Sequence, residues 1–280
     1  MNQKLKPGTR RFIALMLGLT VLLLLGGGII WFLAFSRFNE LQQQAAAIAS
    51  GKAKPSLSQD DLERLYRQGS QSYEAKDYAP AIESLKPITD FQSNYKESAP
   101  LLLLSYKALG EIQAGDLAKL EFAPQTFDQA LTLAQILRPQ LTQQFATSPK
   151  LLPENSGSFD NLLKNLEQQK DWAGRYARGQ AGKPETPDSW DTALTEWETL
   201  FRDNPDYLKP NPTLWVGARL MDTYEAKATY LCRIKGSYSE AMFAANRAYE
   251  IGFKNKVADT RQKSLRYLLN FLNQSQCQEG

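Results

Sequence analysis

The chain has 280 residues, 42% of them apolar and 22% charged, with 33 Lys+Arg against 30 Asp+Glu, which suits a folded protein with room for more than one unit. Four of the positive charges (Lys4, Lys6, Arg10, Arg11) crowd the N-terminus, so the rest of the chain lies close to neutrality and lacks the global field that gathers nucleic acid. Histidine is absent, which excludes imidazole-based catalysis and removes the commonest metal ligand.

After the basic tail (1–11), Phe12 to Phe35 runs 24 residues without a charge. As a helix it would extend roughly 36 Å, longer than the hydrocarbon core of a bilayer. The run therefore predicts one transmembrane helix over 12–35, embedded in the lipid bilayer, with Trp31, Phe32 and Phe35 gathered at its far end as interfacial anchors. A cleaved signal peptide is the competing reading, although its apolar region is normally shorter. The basic tail puts the N-terminus in the cytoplasm and the remainder on the periplasmic or lumenal side. Ala14 and Gly18 form a small-xxx-small pair, and Gly26, Gly27 and Gly28 interrupt the apolar run. Both features suit contact with a second membrane helix, or reflect no more than the frequency of glycine in such segments.

Residues 36–57 read as a juxtamembrane helix followed by the linker "SGKAKPS". Ser58 with Asp61 has the spacing of a capping box, and Leu57 with Leu62 that of a hydrophobic staple, so a helix is expected to begin there. From this point to the end, helical apolar spacing recurs without any strand or hairpin signal, and the fold class is all-α. Breaks are expected at 181–188, 202–212 and 251–255, with Asn211-Pro212 opening a helix as cap and first residue.

Four stretches repeat one pattern: "DYAPAIESL", "TFDQALTLA", "SWDTALTEW" and "SYSEAMFAA". Each has an aromatic residue, an alanine three later and an apolar or small residue four after that: Tyr78/Ala81/Leu85, Phe127/Ala130/Ala134, Trp190/Ala193/Trp197 and Tyr238/Ala241/Ala245. Gly69 precedes the first, Leu200 and Pro205 follow the third, and Gly236 and Ala248 flank the fourth. In these residues the chain resembles the tetratricopeptide-repeat family, whose second helix carries such a pattern where paired helices cross. The aromatic residues are spaced 49, 63 and 48 apart rather than at the family's regular period, so 111–125 and 146–158 read as insertions or lengthened helices. Pro87 is expected to kink or end the helix it occupies. The resemblance covers about 62–253 and implies that 58–280 is an α-solenoid of about four irregular helical hairpins, closed by a capping helix over 256–273 bearing Val257, Leu265, Leu268, Leu269 and Leu272.

No catalytic constellation is legible. "RGQAGKPET" lacks the glycine spacing of a phosphate loop, and "NPDYLKPN" lacks the oxygen pattern of a calcium loop. Asp60 and Asp61 suit a helix N-terminus, and Trp190 with Trp197 suits a core. Cys232 and Cys277, 45 positions apart, form no CxxC and are equally compatible with one disulfide or two thiols. No enzyme activity, metal, cofactor or small-molecule substrate is expected, nor any nucleic-acid partner.

The resemblance implies a concave surface lined by first helices that grips a protein. The first repeat would present Glu63, Tyr66, Ser70 and Tyr73, and the fourth Thr223, Ala226, Tyr230 and Arg233; tyrosine and arginine contribute well to interfaces. Packing of the tyrosines against a neighbouring repeat is the alternative. The expected function is a membrane-anchored scaffold or adaptor for assembly, translocation or quality control of membrane or exported proteins. A structural subunit docked through its membrane helix is the second reading.

Overall fold

A computed structural model describes residues 57–181, 187–275 and 277. The expected membrane segment, with Ala14, Gly18 and Gly26–Gly28, lies outside the described residues, as does the juxtamembrane stretch up to 56. Among the described residues no helix is long and apolar enough to cross a membrane.

Every regular element described is helical. Helix α1 (Gln59–Glu74) starts directly after Ser58, where the capping signal places it. The others are α2 (Tyr78–Phe91), α3 (Ser98–Ala114), α4 (Ala123–Ile136), α5 (Arg138–Thr147), α6 (Phe159–Ala181), α7 (Trp190–Asp203), α8 (Val216–Arg233), α9 (Tyr238–Lys254) and α10 (Asp259–Ser275), with short 3-10 turns at Leu120–Phe122, Pro149–Leu151 and Pro187–Ser189. They belong to one compact unit, Gln59–Gly280.

The four repeated stretches fall in α2, α4, α7 and α9, each packed against the first helix of its own hairpin: α1, α3, α6 and α8. Their alanines, Ala81, Ala130, Ala193 and Ala241, are completely buried. Three hairpins add a glycine on the first helix. A methyl group on Gly69 would lie 2.5 Å from Leu85 Cγ, one on Gly110 2.9 Å from the Phe127 ring, and one on Gly179 2.6 Å from Trp197 Cε2. Small residues thus let the helix axes approach, and the large partner fills the space released.

Consecutive helices pack in chain order with one exception. Helix α4 passes directly to α6, while α5 touches α3, α4 and α6. Leu141 and Phe145 of α5 are buried, with Phe145 stacked on Phe159 at 5.4 Å. With α2 and α4 packed along it and α5 against it, α3 is buried without interruption from Ser98 to Tyr106. At the other end a core extends from Tyr176 through Trp197, Leu220 and Ala245 to Leu272.

Several local expectations are corrected. Pro87 does not end α2, which continues to Phe91; Pro87 and Glu83 are both exposed, so the carbonyl deprived of its donor meets water. Asn211-Pro212 does not open α8. The Asn211 side chain instead accepts from the Thr213 N–H at 3.2 Å and hydroxyl at 2.8 Å in an Asx turn, and the helix starts at Val216, whose N–H donates to the Tyr207 carbonyl. The break expected over 251–255 falls later, because α9 runs to Lys254 and the turn occupies 255–258. Gly252 sits where Leu265, Met221 and Val257 all come within 3.2 Å of a would-be methyl, so it marks a close approach. The last helix begins at Asp259 rather than 256. Gly236 has φ +65° in the turn after α8, a conformation that suits glycine.

Candidate functional site

One face of α8 carries Asp222, Glu225, Ala226, Thr229, Tyr230 and Arg233, spaced three and four apart so that they align along the helix. Opposite stand Ser264, Tyr267, Leu268 and Phe271 of α10, and Pro187 with Trp190 closes one side. Together they enclose a cleft of about 910 Å³, within the usual size range of a binding pocket. The Cys232–Cys277 disulfide joins the end of α8 to the residue beyond α10 and so ties the two walls together. Of the two states left open by the sequence, the bonded one is found.

The charges in the cleft are unevenly satisfied. Arg261 reaches Asp222 at 2.6 Å and Glu225 at 2.5 Å. Burial nevertheless holds the Glu225 carboxyl above its usual range, outweighing the lowering by Arg261. Arg233 lies 5.7 Å from the Phe271 ring centre, and among the described residues its guanidinium meets no carboxylate. Tyr267 and Ile234 stand 74% and 67% exposed at the rim, whereas Tyr230 rests edge-on against Trp190 at 5.4 Å.

A second groove of about 960 Å³ runs between α7 and α9, floored by Tyr224, Lys227 and Leu231 of α8 and sharing Pro187, Trp190 and Tyr230 with the first. Phe243 stands 70% exposed on its wall. Glu198 bridges it, accepting from Arg247 at 2.9 and 2.7 Å and from the Tyr224 hydroxyl at 2.9 Å. Burial acts to raise the Glu198 carboxyl, but these bonds prevail and keep it below the usual range.

The first-hairpin residues are placed differently. Glu63 accepts from the Tyr95 hydroxyl at 2.8 Å and from Lys96 at 2.5 Å. The Tyr66 hydroxyl donates to Glu97 at 3.4 Å, and Lys96 sits 4.8 Å above its ring. Ser70 donates to the Arg67 carbonyl, and Tyr73 packs edge-on against Tyr78. The 95–97 connection is in turn held by α5, since Gln144 donates to the Lys96 carbonyl and Ser148 to Glu97. Glu63 and Tyr66 thus face the chain's own segments, and Tyr230 and Arg233 line an open cleft. Thr223 is buried and donates to the Arg219 carbonyl.

Sequence reasoning missed Tyr267 and Phe271; their i, i+4 aromatic spacing beside the leucine stripe of α10 is the signal that marks them. Trp190 was read only as core, and it is both buried and cleft-lining. Among the described residues no group of three or more His, Cys, Asp or Glu side chains is placed to hold a metal ion.

No protein-family model, curated protein or solved structure gives a significant match to the chain.

Proposed function

We propose that the chain is a membrane-anchored, tetratricopeptide-like scaffold that binds another protein through the cleft between α8 and α10. The observation that carries this reading is the contrast between the two ends of the repeat array. The α3 face is covered by α5, while the α8 face stays open and is lined by Trp190, Tyr230, Tyr267 and Phe271, residue types that dominate protein interfaces. The crossing of small residues in each hairpin supports the repeat reading. The uncharged run over 12–35 supports the anchor. A disulfide persists in oxidising compartments, which supports a repeat domain on the periplasmic or lumenal side, where membrane or exported proteins are assembled.

Native electrophoresis of detergent-solubilised membranes tests this against the accessory-subunit reading. The full chain should migrate in a larger complex that survives Gly26, Gly27 and Gly28→Leu and is lost in Ala226→Trp, which fills the cleft. The reverse pattern would favour a subunit docked through its membrane helix. A chain that migrates alone in every form would refute both.

A further inference from the structure

Two helices of the domain show how its helical faces accept another helix. Helix α5 lies across α3 with Leu141 and Phe145, one turn apart, buried as anchors, while Gln144 between them donates to the Lys96 carbonyl at 2.7 Å. Helix α10 docks by the same means through Leu265 and Leu272. Both bury an apolar stripe and leave polar residues at the margin, the helix-in-groove mode. The α8–α10 cleft offers a third such surface, apolar along Trp190, Tyr230, Leu268 and Phe271.

Its charge state selects the occupant. Among the described residues the two cleft carboxylates, Asp222 and Glu225, are both paired with Arg261, so a cationic ligand would have to compete with Arg261 for them. Arg233 is the cleft cation that no described carboxylate meets; it is exposed in the last turn of α8 and steadied over Phe271. A guanidinium held in this way donates several hydrogen bonds in a fixed plane that fits a carboxylate.

Building on the proposed protein-binding role, we infer that the α8–α10 cleft takes a short amphipathic helix of a partner protein, with two apolar anchors one turn apart and an acidic side chain at the margin that pairs with Arg233. The anchors occupy the space between Tyr230 and Phe271, and the acid sets the direction in which the helix lies.

The test uses the full oxidised chain in detergent and two labelled, terminally blocked helical peptides. Both carry Leu and Phe at i, i+4; one has a Glu beside that stripe and the other a Gln. Fluorescence anisotropy should show the Glu peptide binding about two- to fivefold more tightly, the range of an exposed ion pair. Arg233→Met should erase that preference, the two peptides then binding with equal affinity. Ala226→Trp should abolish binding of both, with Tyr267→Ala as a second variant at an exposed site that bears little on folding. Equal affinities that Ala226→Trp still blocks would overturn the acidic specificity and leave the protein-binding role standing. A Glu preference that persists in Arg233→Met, or no binding of either peptide, would also overturn the inference, the broader role then being decided by the native complex.

Discussion

Two glycines of one helix, five residues apart, should respond to the same substitution with opposite signs. Gly179 of α6 faces Trp197 of α7, and a methyl group there would stand 2.6 Å from Cε2 and 2.7 Å from Cδ1 of the indole, against an ordinary carbon contact of about 3.5–4.0 Å. Trp197 is completely buried, and its ring N–H donates to the Tyr176 carbonyl at 3.2 Å, so the ring has little freedom to yield. Overpacking costs about 1–3 kcal/mol, and straining the indole bond adds up to about 1 kcal/mol. Replacing a helical glycine by alanine returns about 1 kcal/mol. Gly179→Ala should therefore destabilise the domain, by up to about 3 kcal/mol. At Gly174 the methyl would meet only the Arg178 guanidinium, at 3.2 Å, the far end of a flexible side chain. Gly174→Ala should stabilise by about 0.5–1 kcal/mol. For a domain of this size each kcal/mol moves the thermal midpoint by about 2–4 °C. Far-UV circular dichroism on both variants in parallel gives the answer. Two upward shifts would refute the claim that α6 and α7 cross at the distance Gly179 allows.

Other consequences are open to measurement. Reducing the disulfide, or Cys277→Ser, reopens a loop of 45 residues and should cost about 4 kcal/mol on the chain-entropy account; hydrogen exchange should quicken in α10 and remain unchanged in α1 to α4, and unaltered protection of α10 would contradict the account. Because the Glu198 carboxyl is held below its ordinary range, its stabilising effect is present above the unfolded carboxylate pKa and is lost as pH falls through the lower folded value. Stability measured against pH should thus fall less steeply on the acid side in Glu198→Gln than in the parent chain, and parallel curves would deny Glu198 that role. The buried Tyr207 hydroxyl has no partner among the described residues, so Tyr207→Phe should be neutral or stabilising by up to about 1 kcal/mol in denaturant unfolding; a loss larger than that would show that the hydroxyl is satisfied.

The helical class and the hairpin crossings were legible because they rest on local rules. Ala81, Ala130, Ala193 and Ala241 stand at helical spacing from their neighbours, and their burial follows from that spacing. Long-range geometry was not legible. Nothing in "RPQLTQQFATS" says that α5 will lie over α3 and close the face beside Glu63 and Tyr66, because that depends on the path of the preceding chain. Asn211 carries the same side chain whether it caps a helix or forms an Asx turn, and the choice follows from how Tyr207 and Trp215 are packed. The cysteine pairing was equally hidden: a separation of 45 residues fixes no distance, and it is the return of α10 onto α8 and α9 that brings Cys277 to Cys232. The cleft combines both kinds of information. Tyr230 and Arg233 share a helix face that sequence spacing defines, while the opposing wall comes from α10.

The most direct test of the protein-binding role is site-specific photocrosslinking in intact cells, with a benzophenone amino acid at Tyr267 or Ile234 on the cleft rim and at Ile136, an exposed position on α4, as the control. The account predicts a discrete adduct from both rim positions, absent at the control and lost when Ala226→Trp is introduced alongside. Adducts of equal yield from Ile136, or rim adducts that persist with the cleft filled, would contradict it.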